Sequence, residues 1–452
     1  MSVRVIKAPF SPPGGVHPAY RKEATSALAV EAVPVPGRLV LSLAQHIGAP
    51  SRPVVKKGDR VLRGQVVAEA GGYVSSAVHS PTSGVVKTLD EMMTAGGRAA
   101  MCVEIEADGA DEATAFSPAP NWSELPAKAL VEKVAAAGII GMGGAGFPTH
   151  VKLSPPPGKT MDTLIINGAE CEPYLTADHR LMLERADRVW AGTRIIRHIL
   201  GVKTVRVAIE DNKPDAIAAM EKAMSDADGD VAVVALRTRY PQGAEKQLIY
   251  SITGREVPSG GLPMDVGALV ENVGTAAAIA DAVLDGRPLM ERIVTVTGDG
   301  VKSPKNLLAR VGSPLKVLVE ACGGILPEAA KIVSGGPMMG IALDGLDVGL
   351  NKTTSGLLIM KAASLSYFSS MPCIGCGRCV DACPMRLMPC LISERVEAED
   401  FDGAESYDVM DCIECGCCAF ECPAQRPLVQ HMRLGKAQVA VRRRKREAAK
   451  TA

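Results

Sequence analysis

The sequence is poor in aromatic residues, and it has no long apolar run and no excess of either charge. Phe, Trp and Tyr make up 3% of its 452 residues, which argues against a stacking surface for single-stranded nucleic acid. Lys and Arg number 50, as do Asp and Glu, so the net charge does not indicate nucleic acid either. No stretch approaches the ~18–20 uninterrupted apolar residues of a transmembrane helix, and Met1–Phe10 lacks the apolar core of a signal peptide. We therefore predict a soluble or peripheral protein with no transmembrane segment of its own and no nucleic-acid partner.

Length and cysteine content give the first positive indications. A chain of 452 residues corresponds to about three domains, and a hydrophobic content of 47% is enough for real cores. Eight of the 13 cysteines belong to two short runs near the C-terminus, whereas Cys102, Cys171 and Cys322 are scattered. This cysteine usage suits a reducing compartment.

The two cysteine runs share one spacing. Cys373–Pro384 and Cys412–Pro423 each read C-x2-C-x2-C-x3-C-P, which is the bacterial ferredoxin signature for a pair of [4Fe–4S] clusters. The two-residue gaps let one tight loop place three thiolates around a cluster, and the cysteine before each proline binds the other cluster. One predicted cluster therefore takes Cys373, Cys376, Cys379 and Cys422, and the other takes Cys412, Cys415, Cys418 and Cys383.

Structural zinc and disulfides are the alternatives for these cysteines. Zinc sites usually take ligands in a two-plus-two spacing, which leaves the third cysteine of each run without a role. Disulfides suit a small secreted scaffold rather than a chain of this length. Iron–sulfur ligation is therefore the favoured interpretation. Two further cysteines are surplus, because Cys417 breaks the spacing that Cys418 keeps and Cys390 is expected to be a packed thiol.

The N-terminal part of the chain divides into an arm, a β unit and a linker. Residues 1–30 show no periodicity and form the predicted arm, and residues 108–124 are a polar linker rich in Ala and Pro. Residues 31–107 break into short β-like runs between turn residues, which indicates a small all-β unit. Val55–Gln65 resembles the barrel-sandwich domain of biotinyl and lipoyl carriers, but the turn near Gly72–Tyr73 has no carrier lysine. We predict a structural or docking module there.

A glycine-rich segment follows a predicted helix at Pro126–Ala137. Gly138–Gly146 contains five glycines in nine residues, and such a backbone can approach a ligand closely and turn its N–H groups toward an anion. The spacing differs from that of dinucleotide-binding and Walker A loops. A tight turn is the alternative, and glycine density alone does not decide between a turn and a phosphate site.

Strands and helices then alternate, and we predict one α/β domain over residues 125–289. The predicted strands lie at 163–167, 203–209 and 231–236, and the predicted helices at 181–200 and 214–224. Polar residues follow the first strand, at the kind of edge where open α/β sheets bind ligands. Glu170 and Glu172 lie there, with an exposed loop pair as the alternative interpretation. For Asn272 and Thr275 the alternative is an ordinary helix N-terminus.

Three further units complete the chain. Residues 290–350 alternate strand-like runs with turns and one helix, which predicts a second small α+β unit. Lys361–Phe368 leads into the cluster domain, predicted over residues 360–430. The predicted tail, residues 431–452, contains the basic run Arg442–Arg446, which is either a solvated end or a contact with anionic lipid or a partner.

These motifs, in this order, resemble those of the C subunit of the Rnf electron-transport complex over essentially the whole chain. The matching segments are Gly14–Pro18, Gly143–Thr149 with Lys152, Asn167–Pro173 and the two cysteine runs. The middle of the chain is also similar to the flavin-bearing, NADH-oxidising subunit of respiratory complex I, which shares the glycine loop, the acidic segment and a segment like Glu271–Thr275. The resemblance implies an α/β multidomain fold. Its parts are an N-terminal barrel-sandwich unit, a Rossmann-like FMN- and NADH-binding domain, a soluble-ligand-binding β-grasp module and a C-terminal two-cluster ferredoxin-like domain.

The resemblance also implies a role for each residue of the glycine loop and of the acidic segment. The residues implied around the FMN phosphate and the isoalloxazine edge are Gly141, Gly143, Gly144, Gly146 and Lys152, with Asn167, Asn272 and Thr275 completing the pocket. Phe147 is implied to stack on the adenine of the nicotinamide nucleotide. Glu172 is implied to bind near the ribose or the nicotinamide, and Glu170 belongs to the same cofactor-binding segment.

The chain departs from the complex I pattern at four positions. Met142 replaces an Arg of the glycine loop, Ala169 an Asp and Ala244 a Glu. Pro155 stands where a second adenine-stacking aromatic residue would be. These changes affect the nucleotide site more than the flavin site.

The implied function is that of a peripheral oxidoreductase subunit on the cytoplasmic side of the inner membrane. It would pass electrons between NAD(H), FMN and two [4Fe–4S] clusters, and the complex would couple ferredoxin:NAD oxidoreduction to ion transport. The implied partners are the membrane subunits and the ferredoxin-side iron–sulfur subunit. The alternatives are a ferredoxin-like conduit that binds no nucleotide and a soluble flavin and iron–sulfur protein like cobalamin reductase.

Overall fold

The computed structural model describes residues 3–365 and 370–451. Residues 366–368, which end the predicted lead-in to the cluster domain, lie outside the described residues. The strands are β1 Arg4–Lys7, β2 Val30–Ala32, β3 Arg38–Ser42, β4 Arg52–Pro53, β5 Arg60–Val61, β6 Val66–Glu69, β7 Val78–His79, β8 Gly84–Met93, β9 Ala99–Ala107, β10 Thr163–Asn167, β11 Thr204–Glu210, β12 Asp230–Leu236, β13 Ala268–Asn272, β14 Glu291–Thr297, β15 Lys305–Arg310, β16 Ala329–Ser334, β17 Ile341–Leu343 and β18 Gly356–Lys361.

The helices connect these strands and form most of the C-terminal domain. They are α1 Ala127–Ala136, α2 Thr149–Lys152, α3 Ala177–Glu184, α4 Ala186–Leu200, α5 Pro214–Ala223, α6 Glu245–Thr253, α7 Val273–Leu284, α8 Leu315–Ala321, α9 Arg378–Asp381, α10 Pro389–Glu397, α11 Phe401–Ser406, α12 Cys417–Phe420 and α13 Leu428–Thr451. Short 3-10 turns lie at Trp122–Glu124, Pro263–Val266, Ala362–Ser364 and Val409–Asp411. No helix in the described part of the chain is both long enough and apolar enough to cross a membrane.

A five-stranded parallel sheet forms the centre of the α/β domain, in the order β1-β12-β11-β10-β13. Leu164 and Ile166 of β10 enter the core that α1, α4, α5 and α7 share. Ile165, between them, enters the core on the opposite face with Leu248 and Ile249 of α6. Successive side chains of a strand point to opposite faces, and a parallel sheet is buried on both. The predicted strands are confirmed to within one residue.

The predicted N-terminal arm begins with a strand that was not predicted. Arg4–Lys7 forms β1 and pairs with β12, with Arg4 opposite Ala232 and Lys7 opposite Ala235. None of its four residues is fully buried, because this strand lies at the edge of the sheet. Such a strand leaves no apolar alternation in the sequence by which to predict it.

The helix predicted at residues 181–200 is in fact two helices. α3 ends at Glu184 and α4 begins at Ala186, because the backbone of Arg185 leaves helical geometry with φ −138°. The Arg185 guanidinium binds the Asp281 carboxylate of α7 at 2.7 Å. This tertiary contact holds the break, and apolar spacing along the segment does not reveal it.

Two smaller β units flank the α/β domain. The sheets β3-β9-β8-β5 and β4-β6-β7 enclose a shared core and form the barrel-sandwich unit. A six-stranded mixed sheet, β17-β16-β18-β14-β15-β2, packs against α8. This sheet takes β2 and β18 from outside the predicted boundaries 290–350, because strand pairing joins segments that are distant in sequence.

The C-terminal domain is helical over its described residues and carries two similar cysteine turns. Gly377 and Gly416 have φ of 74° and 84° and precede the short helices α9 and α12. Positive φ favours glycine, so the glycine between the second and third cysteines of each run is explained. Residues 431–451 of the predicted tail belong to α13, whose Met432 and Val439 are buried against α10 and α11.

Three of the five residues in the basic run of the tail are ion-paired. Arg442 binds Asp402, and Arg443 and Arg446 bind Glu405. Exposed pairs of this kind stabilise a fold by less than about 1 kcal/mol each. The run therefore belongs to a helical surface that packs on its own domain.

Candidate functional site

The glycine loop lies at the carboxyl edge of the parallel sheet. Asn167 ends β10 and Asn272 ends β13, and the two residues are paired in register. The N–H of Met142 donates to Thr275 Oγ1 at 3.0 Å, which holds the loop above the start of α7. The N–H of Gly141 donates to the carbonyl of half-buried Phe147 at 2.8 Å and closes the loop.

The glycines of this loop meet different surroundings. A Cβ at Gly143 would lie 2.9 Å from Asn272, and one at Gly146, where φ is 69°, would lie 2.8 Å from Thr353. A Cβ at Gly141 would make only ordinary contact, and one at Gly144 would meet no heavy atom within 4 Å. The loop is therefore packed tightly at Gly143 and Gly146 and open at its exposed tip, which fits a cradle for a bound FMN.

Lys152 ends α2 and points to the same edge of the sheet. Its Nζ lies 3.0 Å from Glu245 Oε1 and 3.8 Å from Glu271 Oε1, and it also donates to the Val270 carbonyl. Burial by itself would lower the pKa of Lys152, but the two carboxylates outweigh it and raise that pKa. Burial raises the pKa of Glu271 to about 7. Neither carboxylate was predicted as a partner of Lys152 from the sequence, although each lies beside a residue discussed above.

The acidic segment is more enclosed than an exposed loop pair. Glu170 accepts the N–H groups of Asp178 and His179 at 2.7 and 3.0 Å, at the start of α3. Glu172 accepts those of Met338 and Met339 at 3.1 and 2.8 Å, in the loop between β16 and β17. Both carboxylates thus have backbone partners in the protein. Burial raises the pKa of Glu172 to about 7.

The polar residues at the strand ends bind the protein itself. Asn272 caps α7, since its Oδ1 accepts the N–H of Gly274 at 2.7 Å, so the helix N-terminus interpretation describes its contact. Its Nδ2 donates to Asp178 Oδ2 at 2.7 Å. Asn167 Nδ2 donates to the Gly243 carbonyl at 2.8 Å. These bonds order the carboxyl edge around the loop.

Two buried lysines, neither of them predicted from the sequence, donate hydrogen bonds to backbone carbonyls in and next to the acidic segment. Lys22 donates to the carbonyls of Glu170 and Leu175, both at 2.6 Å. Lys213 donates to the carbonyl of Ala169 at 2.7 Å. Burial lowers the pKa of Lys22. Nothing in the local sequence around either lysine indicates these contacts.

The cysteines predicted for the second cluster come together around one cavity. Its lining includes Cys383, Cys412, Cys415 and Cys418, with apolar neighbours such as Val429. The N–H groups of Leu387 and Glu414 donate to the sulfurs of Cys383 and Cys412, each at 3.4 Å. A cavity lined by cysteines, with N–H donors to their sulfurs, fits a [4Fe–4S] cluster. Within the described residues, no three metal-binding side chains are grouped as for a single ion.

The cysteines predicted for the first cluster are less enclosed. Cys373 and Cys376 are exposed, Cys379 is buried and Cys422 is half-buried. Cys379 and Cys422 pack in one apolar cluster with Cys390. The cysteine turn that opens the domain therefore faces outward.

The surplus cysteine Cys417 does not line the cavity. It is fully buried, and its thiol faces the Tyr240 carbonyl at 3.9 Å. Cys418, its neighbour, lines the cavity. This contrast favours Cys418 as the ligand.

Family models match four consecutive parts of the chain. Residues 10–110 match the RnfC barrel sandwich hybrid domain, and residues 134–281 match the Nuo51 FMN-binding domain. Residues 293–342 match the SLBB domain, and residues 366–423 match a 4Fe-4S dicluster domain. The predicted fold class and the FMN and [4Fe–4S] cofactors are thereby confirmed.

Similar proteins include components of ion-translocating complexes. The chain is 49% identical over 427 residues to the C subunit of the proton-translocating ferredoxin:NAD(+) oxidoreductase complex of Clostridium ljungdahlii, covering 94% of this chain and 93% of that protein. It is 46% identical over 433 residues to the C subunit of the Na(+)-translocating ferredoxin:NAD(+) oxidoreductase complex of Acetobacterium woodii, covering 96% and 98%. A solved NAD+-reducing [NiFe]-hydrogenase in the air-oxidized state aligns with TM-score 0.49 at 19% identity, covering 71% of this chain and 65% of that one. The identities to the first two proteins over nearly the full length show that this chain belongs to the family of C subunits of Rnf-type ferredoxin:NAD+ oxidoreductase complexes.

Proposed function

We propose that this chain is the peripheral subunit that passes electrons between NAD(H), FMN and two [4Fe–4S] clusters in an ion-translocating ferredoxin:NAD+ oxidoreductase complex. The observation that carries the proposal is a contact between two domains. The α/β domain, which contains the glycine loop, contacts the segment that carries Cys383, and Cys383 is one of the four cysteines that line the cavity. Gln247 of α6 donates to the Pro384 carbonyl, next to Cys383, at 3.1 Å. The proposed flavin site and the proposed cluster site therefore belong to domains that contact each other.

The FMN would be held by the glycine loop and by the polar edge of the sheet. Gly144 leaves the loop tip open, and Thr275 and Asn272 fix the loop and the helix beneath it. Bound FMN supplies the exchange between two-electron and one-electron transfer, while the protein supplies position and electrostatics. Lys152, engaged by Glu245 and Glu271, contributes a half-buried positive charge beside this edge.

The two clusters would occupy unequal positions. Three of the four cysteines proposed for one cluster, Cys383, Cys415 and Cys418, are buried, and the segment containing Cys383 contacts the α/β domain. Two cysteines proposed for the other, Cys373 and Cys376, are exposed. We therefore place the more buried cluster between the flavin domain and the more exposed one, which lies toward an electron-transfer partner.

Flavin and iron content, followed by reduction with NADH, test this function. Anaerobically purified protein should carry flavin and about eight irons, and NADH should bleach the flavin absorbance. Iron without flavin would favour the ferredoxin-like conduit. Flavin and iron that NADH fails to reduce would leave the nucleotide role unsupported.

The nucleotide position rests on Phe147 and Glu172. The Glu172 carboxylate accepts two N–H groups of the loop between β16 and β17, so a nucleotide that bound there would share or replace these bonds. Glu172→Gln should retain flavin and iron. NADH-driven reduction of an artificial acceptor should fall about tenfold to hundredfold, because a hydrogen bond to a charged group contributes ~1.5–3 kcal/mol. An unchanged rate would show that the nucleotide lies elsewhere.

The cellular placement is also a proposal. We propose that the chain lies on the cytoplasmic side of the membrane, bound to the membrane subunits and the ferredoxin-side iron–sulfur subunit of its complex. The names of its relatives as complex subunits support the association. We retain residues 31–107, 125–289 and 360–430 as proposed domain boundaries.

A further inference from the structure

Tyr240 joins the α/β domain to the second cysteine turn. Its side chain is only 1% exposed, and its hydroxyl donates to the backbone carbonyl of Cys415 at 2.7 Å. The residue is itself fixed by the N-terminal segment, since Val16 and Tyr240 exchange N–H to carbonyl bonds of 2.7 and 3.0 Å. A buried hydroxyl therefore meets the main chain of a proposed cluster ligand.

The surroundings of this bond come from several parts of the chain. Val16, Ala382, Cys415 and Cys417 are buried with Tyr240 in one apolar cluster, against which Cys171 and Met338 pack. Cys171 belongs to the acidic segment, and Met338 lies in the loop bound by Glu172. The hydroxyl of Tyr240 is thus held in a dry contact between the flavin domain and the cysteine turn.

We propose that Tyr240 is a positioning residue whose hydroxyl raises the reduction potential of the cluster held by Cys383, Cys412, Cys415 and Cys418. This inference rests on the proposed function, which places a cluster at those cysteines. Reduction adds one negative charge to a cluster, and the potential of such a centre depends on its net charge, on hydrogen bonds to its sulfurs and on solvent exposure. The Tyr240 hydroxyl bonds a carbonyl rather than a sulfur, so it acts through the field of its dipole.

The sign of the effect follows from the direction of the dipole. The hydroxyl hydrogen points to the Cys415 carbonyl, so the positive end of the O–H dipole faces the turn that carries the thiolate. In a dry contact such a dipole is weakly screened, and it favours the more negative, reduced state. Without the hydroxyl, the carbonyl of Cys415 would also lose its partner and leave a negative end unbalanced there. Both effects lower the potential when the hydroxyl is removed.

Tyr240→Phe removes the hydroxyl and keeps the buried ring. Tyr250→Phe is the matched control, because Tyr250 lies in α6 of the same domain and its ring packs near Phe10 instead. Cys418→Ala is the second reference, since it should delete the signal of the cluster in question. The full chain, loaded anaerobically with iron and flavin, is then titrated with reductant and followed by electron paramagnetic resonance.

The expected result is a shift confined to one centre. Tyr240→Phe should keep about eight irons and its flavin. The signal that is missing in Cys418→Ala should shift to a lower potential in Tyr240→Phe. The other cluster and the flavin should titrate as in the unaltered protein, and Tyr250→Phe should move nothing. Because midpoints are measured on the loaded fraction, a reduced yield of folded Tyr240→Phe protein does not obscure the result.

Four outcomes overturn the inference. Unchanged midpoints in Tyr240→Phe would show that the hydroxyl does not act on the cluster, and loss of iron would show that its role is only structural. A shift of the signal that Cys418→Ala retains would show that Tyr240 acts on the other cluster instead. Unaltered protein that binds no cluster at all would overturn the proposed function, and this inference with it.

Discussion

Gly144→Val, in the glycine loop, tests the effect of a side chain on FMN binding separately from its effect on folding. A Cβ at Gly144 would meet no heavy atom within 4 Å, its φ is not in the left-handed region, and the residue is exposed. In the protein without flavin the substitution should therefore cost no more than an ordinary surface change, within about 0.5 kcal/mol. If the open tip receives FMN, the isopropyl group would compete for the space of the ligand.

The size of the expected effect follows from the cost of overfilling a packed site. Extra methyl groups forced into such a site cost about 1–3 kcal/mol where neighbours can shift. Each ~1.4 kcal/mol is a factor of about ten in Kd. We therefore expect the Kd of Gly144→Val for FMN to rise about fivefold to a hundredfold, and its iron content and melting temperature to stay unchanged.

Two further glycines provide the controls. Gly37→Val, in another domain, places its Cβ in open space as well and should bind FMN as the unaltered protein does. Gly146→Ala should instead destabilise the fold itself, because φ is 69° and its Cβ would lie 2.8 Å from Thr353. Titration of FMN into deflavinated protein, followed by quenching of flavin fluorescence, gives each Kd. An unchanged Kd for Gly144→Val would refute the position of FMN at the loop tip.

Three other expected outcomes test separate parts of the structure. Cys417→Ala should leave about eight irons and Cys418→Ala should damage one centre, as measured by iron content and electron paramagnetic resonance; the reverse outcome would contradict the ligand assignment. Burial lowers the pKa of Lys352 to about 7, so between pH 7 and about 10.4 the unfolded chain binds the extra proton and stability rises with pH. From pH 7 to pH 9 the melting temperature of the unaltered protein should therefore increase relative to that of Lys352→Met. The increase should correspond to at most about 1.4 kcal/mol of unfolding free energy per pH unit. A difference in melting temperature that stays constant with pH would refute the lowered pKa of Lys352. High-salt or alkaline washing should release the chain from membranes that contain its partners, and retention would reveal an anchor.

Local sequence patterns predicted the parts of the fold that depend on local contacts. The cysteine spacing predicted that Cys383, Cys412, Cys415 and Cys418 lie together, and they line one cavity; three of them belong to one turn. The apolar run Thr163–Asn167 predicted β10 with its bounds. In both cases the information lies within a few residues of the feature.

The missed contacts join residues that are far apart in the sequence. Lys22 and the carbonyl of Glu170 are separated by 148 positions, and Tyr240 and the carbonyl of Cys415 by 175. The partners of Glu172 lie 166 and 167 positions away. No periodicity or local motif encodes such pairs, so the sequence indicated which residues lie at the carboxyl edge of the sheet better than which protein groups they contact.

The N-terminal segment shows how these long-range contacts converge. A Cβ at Gly14 would lie 2.5 Å from the backbone of Cys383, and one at Gly15 would lie 2.7 Å from the carbonyl of Tyr240. Their φ values of 59° and 81° and this close approach explain why glycine occupies both positions. Val16 then pairs with Tyr240, and Lys22 holds the acidic segment. A segment without internal periodicity therefore braces the proposed cluster ligands and the carboxyl edge of the flavin domain at once, and a change at Gly14 should disturb the cysteine turn before it disturbs the sheet.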